Sequence, residues 1–154
     1  MKLDVWSLLD AGGVFQYGRY EIRNSNGLLH RDDGPAAIFP DGTQLWYRNG
    51  LLHRDDGPAA IESNGIRYWY RNGERHRDDA PAIICPDGSC HWYRDGQRHR
   101  DDGPAAIYPD GTRLWYRHGM RHREDGPAII YPDGKGSWHL NGAYQHKVGW
   151  ISET

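Results

Sequence analysis

The chain has 154 residues, a formal charge of −2 and 37% hydrophobic residues, with 20 glycines, 9 prolines, 7 tryptophans and 10 tyrosines. That aromatic content argues against wholesale disorder, and no apolar run approaches the ~20 residues of a spanning helix. The near-neutral charge excludes a polyanion binder driven by bulk charge, and two cysteines make no disulfide scaffold, so the chain reads as soluble and cytoplasmic.

Residues 1–26 read as an N-terminal cap. Asp4 can cap a short helix through Leu9, Gly12-Gly13 breaks it, and Val14 to Ile22 alternates like a strand. From there the sequence repeats. His-Arg-Asp-Asp-Gly-Pro-Ala begins at His30, His53 and His99, with near copies at His76, where Ala80 replaces Gly, and at His122, where Glu124 replaces Asp. The step is 23 residues each time, and Trp46, Trp69, Trp92, Trp115 and Trp138 keep it. The repeats are 27–49, 50–72, 73–95, 96–118 and 119–141, and 142–154 forms a short C-terminal cap.

Each repeat predicts a hairpin: strand Pro35 to Phe39, turn Pro40-Asp41-Gly42, strand Gln44 to Arg48. Proline presets the first corner of that turn and glycine accepts its left-handed conformation. Asn49-Gly50 then turns the chain toward the next repeat. No room remains for a helix, so the array is all-β, an elongated twisted sheet of five hairpins. By the period of two, Ala36 and Ile38 share a face that never varies, and the alternate positions drift: Ala37, Ala60, Ile83, Ala106 and Ile129. The reading packs the invariant face, with the tryptophans, and opens the drifting one. Phe39, Leu45, Tyr68, Tyr108, Leu114 and Tyr131 are then the expected partner-binding surface.

The order Asn-Gly-x-x-His, Gly-x-Ala and Asp-Gly-x-x-x-Trp-Tyr within 23 residues resembles the MORN repeat, over about three-quarters of the chain. It departs after the histidine, where Arg-Asp-Asp intervenes, and at Trp-Tyr-Arg in place of Tyr-x-Gly. The resemblance implies a hairpin array that serves as an interaction scaffold, with self-association and sometimes lipid contact, and not catalysis. Divergent arrays of this kind occur in bacterial and viral reading frames, and a virus-encoded inhibitor of a host defence, in the host-cell cytoplasm, fits that distribution.

Chemistry is weighed at the His-Arg-Asp-Asp segment. Five copies exclude a kinase catalytic loop, and the chain holds neither Gly-x-Ser-x-Gly nor a P-loop, so no catalytic residue is assigned. Histidines of successive repeats stand roughly 9.5–10 Å apart and cannot share a zinc ion, so neither metal nor cofactor is expected. Arginine outnumbers lysine 16 to 3, but between Gly50 and Asn72 Arg54, Arg67 and Arg71 meet Asp55, Asp56 and Glu62. An Arg-to-Asp ladder between neighbouring repeats is therefore expected, and nucleic acid is disfavoured. His30, His53, His76, His99 and His122 are read as structural. Arg48, Arg71, Arg94 and Arg117 are the residues of an alternative, a protein that captures a small anionic ligand or nucleotide.

Cys85 and Cys90 bracket the third turn. A three-residue loop with a glycine bulge separates them onto opposite faces, whereas a two-residue loop would set them opposite each other at the cost of a ladder bond at Pro86. Two free thiols are expected. The C-terminal tail holds Val148, Trp150 and Ile151, and predicts either a homodimer through that end or a cap in which Trp150 folds onto Trp138.

Overall fold

The computed structural model describes residues 12–16 and 18–145, and among them every regular element is a β-strand. The helix expected over Asp4 to Leu9, and Trp150 with its proposed dimer contact, lie outside the described residues. No helix is long and apolar enough to cross a membrane.

Turn chemistry shapes each repeat, and it makes two hairpins where one was expected. In the first, Ala37–Ile38 pairs antiparallel with Gln44–Leu45, Ala37 opposite Leu45. The loop between them closes with Phe39 N–H on the Thr43 carbonyl and Gly42 N–H on the Phe39 carbonyl, each 2.9 Å. The Asp41 carboxylate accepts Thr43 N–H at 2.8 Å, and Gly42 takes a φ of +93°. The second hairpin pairs Tyr47–Arg48 with Leu51–Leu52 around Asn49 and Gly50, whose φ angles of +50° and +81° define a two-residue turn that matches strand twist.

Between the two hairpins stands Trp46. Its N–H donates to the Ala59 carbonyl at 2.8 Å and its carbonyl accepts His53 N–H at 3.1 Å. Both groups are thus spent on the following repeat, and the chain turns out of the first ladder there. The expected continuous strand Gln44 to Arg48 is therefore two short strands. In the last repeat Gly136–Leu140 runs through Trp138 unbroken.

The chain divides into two compact units, Met1–Glu74 and Arg75–Thr154. In the first, the sheet runs Val14–Gln16, Arg19–Glu21, Ala37–Ile38, Gln44–Leu45, Ala60–Ile61, Arg67–Tyr68. In the second it runs Ile83–Ile84, Cys90–His91, Ala106–Ile107, Arg113–Leu114, Ile129–Ile130, Gly136–Leu140, Ala143–Gln145. Neighbours in both are antiparallel. The single strand expected over Val14 to Ile22 is a hairpin, with Val14 opposite Glu21 and the Phe15 ring against Tyr20.

The faces correct the sequence reading. Ala36 and Ala37 are both fully buried, as are Ala59, Ala82, Ala105, Ala106 and Ala128, and the drifting positions Ala60, Ile83 and Ile129 are buried with them. The invariant Ile38 series is only half-buried. Drift was taken for exposure, but it is paired. Ala37 faces Leu45, Ala60 faces Tyr68 and Ala106 faces Leu114, whereas the larger Ile83 faces His91 and Ile129 faces Ser137. Where one member grows the other changes with it, which is how a packed row keeps its volume. Of the expected contact surface, Phe39, Leu45, Tyr68, Tyr108 and Leu114 are half-buried, and Tyr131 alone is exposed. Arg19 lies over the Phe39 ring and Tyr108 sets its ring edge-on to His91.

Two substitution experiments test this packing. Ala60→Ile forces extra methylenes against Tyr68 and is expected to cost about 1–3 kcal/mol in chemical denaturation, with part of that cost recovered by adding Tyr68→Ser. Gly88→Ala, at a φ of +92°, is expected to cost about 1–2 kcal/mol. Gly103→Ala, where φ is unremarkable, should cost less.

Candidate functional site

The His-Arg-Asp-Asp loops do their bonding across repeats. Each histidine accepts, at Nδ1, the backbone N–H of the residue 19 positions on: Asn49 to His30 and Asn72 to His53 at 3.1 Å, then Asp95 to His76, His118 to His99 and Asn141 to His122 at 3.2 Å. Nδ1 also lies 2.9, 2.8 and 2.8 Å from the side-chain oxygen of that residue at Asn72, Asp95 and Asn141, so the ring nitrogen turned toward its own loop is Nε2. That nitrogen faces the carboxylate two residues on, at 2.9 Å for Asp55, 2.8 Å for Asp78 and 3.0 Å for Asp101. The histidine thus holds the left-handed turn residue of its own repeat through the backbone while aiming a carboxylate outward. His53, His76 and His99 are buried; His30 and His122 are half-buried.

The arginine of the motif stacks on the tryptophan of the preceding repeat. The Arg54 guanidinium lies 4.4 Å from the Trp46 ring centre, Arg100 4.2 Å from Trp92 and Arg123 4.1 Å from Trp115. Its Nε donates to the second carboxylate, Arg54 to Asp56 and Arg100 to Asp102 at 2.8 Å and Arg123 to Asp125 at 2.9 Å. Nη1 reaches the following proline carbonyl, Pro104 from Arg100 and Pro127 from Arg123, at 3.4 Å. These arginines explain the motif's glycine. A Cβ on Gly103 would stand 3.1 Å from Arg100 Cζ, and one on Gly126 2.9 Å from Arg123 Cζ. The sequence shows through Ala80 that the position needs no positive φ; the reason it is glycine elsewhere is room for a guanidinium, which only the fold supplies.

The second arginine series makes the expected ladder between repeats. Arg48 Nη2 donates to Asp55 at 2.8 Å, Arg94 to Asp101 at 3.0 Å and Arg117 to Glu124 at 3.4 Å. Arg48 Nη1 also lies 2.8 Å from His53 Nε2. Both groups converge on the Asp55 carboxylate. Arg71 is exposed. Three of the four arginines of the anion-binding alternative are thus committed to carboxylates.

Between consecutive loops lies a cleft of one design. In the first unit it is lined by Arg31, Asp32, Asp33, Trp46, Arg48 and Asp55, among others, and encloses about 270 Å³. In the second unit one cleft of about 300 Å³ has Trp92 on its wall, and a neighbour of about 600 Å³ has Trp115. In each, three arginines meet four carboxylates, a net −1 with histidine neutral. The two signs sit at different depths. The Arg100 side chain is 24% exposed and its partner Asp102 81%. The Arg54 hydrogen bond holds the Asp56 carboxyl below its usual range, and Arg31, Arg100 and Arg123 do the same for Asp33, Asp102 and Asp125.

Other polar groups lie away from the clefts. Cys85 N–H donates to the Ser89 carbonyl and Ile84 faces Cys90, the three-residue loop the prolines favour, and neither cysteine is in a disulfide. Burial pushes the Cys90 thiol up. Sequence reading missed Arg98, whose guanidinium lies 5.9 Å from the Tyr93 ring centre and 5.6 Å from that of Tyr116. It also missed His91, buried in the core row with Nδ1 unpaired and its pKa lowered by that burial, then by Arg98. A His at the place of Leu45 and Leu114 was the available signal. Among the described residues no group of His, Cys, Asp and Glu could hold a metal ion.

His99→Ala removes a buried side chain and takes the acceptor from the His118 N–H, and a stability loss of about 1–3 kcal/mol is expected. The carboxylates lowered by arginine stabilise the fold above their unfolded value of about 3.9, so the melting temperature should drop as pH falls through about 4 and below. His91 adds a separate limb. Its depressed folded pKa gives stability that is complete above about 6.5 and declines as pH falls below it, because only the unfolded ring charges freely. Melting curves of His91→Leu against the parent from pH 7 to 5 should show that limb flattened; identical slopes would remove His91 as its source.

No protein-family model matches the chain, and no curated protein matches it significantly.

Proposed function

We propose that this protein is a non-enzymatic repeat scaffold that binds a partner protein along its His-Arg-Asp-Asp loops. The observation that carries this reading is the recurrence of one cleft, with the same tryptophan, arginines and outward carboxylates, at successive repeats. An enzyme concentrates its chemistry at one place, whereas a repeated surface suits an extended contact. The histidines support the same reading, since both ring nitrogens are engaged in holding loops. The resemblance to MORN arrays points the same way. The contact surface differs from the aromatic face that the sequence suggests, because five of those six residues are half-buried and only Tyr131 stands open.

Affinity capture from a native lysate, with the full chain as bait, tests this against the ligand-capturing alternative. The companion bait carries Asp78→Asn, Asp101→Asn and Glu124→Gln, which keep an acceptor at each position and remove charge. A protein captured by the parent, lost with a variant that still gives the parent's far-UV circular dichroism at the capture temperature, and rebinding in purified form is the expected result. A parent that carries a small anionic molecule and no protein, or capture indifferent to the variant, overturns it.

A further inference from the structure

We propose that the two adjacent clefts of the second unit take a segment of the partner in polyproline II conformation, with a lysine or arginine at every third position. This rests on the scaffold reading above and names the chemistry of the partner.

Charge selects a cation. Asp101 and Asp102 belong to the loop that the two clefts share, flanked by Asp78 and Asp79 on one side and Glu124 and Asp125 on the other. All six are exposed. The cationic groups around them are engaged, Arg100 and Arg123 at depth and Arg94 and Arg117 exposed beside the acids. Arg100 and Arg123 lie against Trp92 and Trp115 with Nε on a carboxylate and Nη1 on a proline carbonyl, and Arg94 and Arg117 are paired with Asp101 and Glu124. An approaching anion meets cations already paired and a net −1 charge in each cleft, whereas an ammonium or guanidinium meets six exposed carboxylates.

Spacing selects the backbone. Each repeat contributes two strands to the sheet, so equivalent points of the two clefts are about 9.6 Å apart at ~4.8 Å per strand. An extended β-strand repeats a side at every second residue, about 6.7 Å, and its third residue, at about 10 Å, points the opposite way. Polyproline II has three residues per turn and rises 3.1 Å each, so every third side chain returns to the same side after about 9.3 Å. An α-helix, about 10–12 Å across with its side chains, is too wide to enter clefts whose walls are neighbouring loops of one sheet. The half-buried Trp92 and Trp115 add apolar wall between the charged rims, the kind of lining on which proline-rich segments dock.

The test measures fluorescence anisotropy of labelled peptides with the full chain at physiological salt. One peptide places lysine at every third residue among prolines; a second has the same composition with its lysines clustered. The periodic peptide is expected to bind roughly tenfold more tightly, to weaken with added salt, and to lose that advantage with Asp78→Asn, Asp101→Asn and Glu124→Gln. Arg113→Glu, on an exposed strand position of the same unit, is the control that leaves binding unchanged. Equal binding of both peptides reduces the effect to unspecific attraction and overturns the proposal, as does preference for a polyanion such as RNA. If neither peptide binds while the lysate partner is still captured and still lost with the triple variant, this inference falls and the scaffold reading stands. If the lysate yields no partner and no peptide binds, both fall.

Discussion

The hydrogen bond from a backbone N–H to a histidine Nδ1 nineteen residues earlier is the contact on which the repeat depends. It joins the start of a repeat to its closing turn, beside a backbone bond such as that from Gly50 N–H to the Leu29 carbonyl at 2.8 Å. Nδ1 receives that N–H while Nε2 of the same ring lies against the first carboxylate. That carboxylate in turn holds Arg48, Arg94 or Arg117 of the preceding repeat. One nitrogen's lone pair thereby orders a loop, a turn and an ion pair in two repeats. A histidine recurs five times in this place, its rigid ring setting one nitrogen toward the turn and the other toward the acidic residue two positions on.

The arginine over tryptophan supplies what the alanine core cannot. Buried alanines contribute little area each, and of the large rings Trp46 is buried while Trp69, Trp92, Trp115 and Trp138 sit half-covered. A guanidinium laid flat on an indole covers that surface while keeping its own in-plane donors for the carboxylate and the proline carbonyl. Lysine could not make these three contacts together. The glycine beneath leaves room for the guanidinium, and where Ala80 stands instead Arg77 still reaches the Pro81 carbonyl at 3.2 Å.

Much of this architecture was legible in the sequence, and the part that was not follows a pattern. The 23-residue period, the Pro-Asp-Gly and Asn-Gly turns and the inter-repeat ladder are each carried by residues whose chemistry acts locally, so spacing alone exposes them. The burial of Ala37, Ala60 and Ile83 was not legible. Their variation looks like freedom until the facing residues Leu45, Tyr68 and His91 are known, and register is not written in a single strand. The break at Trp46 was hidden as well, since nothing in Gln44 to Arg48 disfavours an unbroken strand. The cause lies in Ala59 and His53 of the following repeat. In the N-terminal hairpin, Gly18 was the unread turn signal.

Net charge was the least informative quantity, and the reason bears on function. Arginines and carboxylates nearly cancel in each repeat, which in the sequence argues for a neutral, purely structural ladder. Cancellation in a sum says nothing about position. The fold turns the guanidiniums of Arg31, Arg54, Arg100 and Arg123 inward and leaves Asp33, Asp56, Asp102 and Asp125 more than four-fifths exposed or close to it, at 83%, 81%, 81% and 82%. A partner approaching from solvent experiences the nearest charge most strongly, since attraction falls with distance and is screened over about 8 Å in physiological salt. Two charges of opposite sign, separated in depth, therefore present one sign outward. The same ion pairs that hold successive loops in register also give their outer surface a direction, so stability and recognition here share a set of atoms.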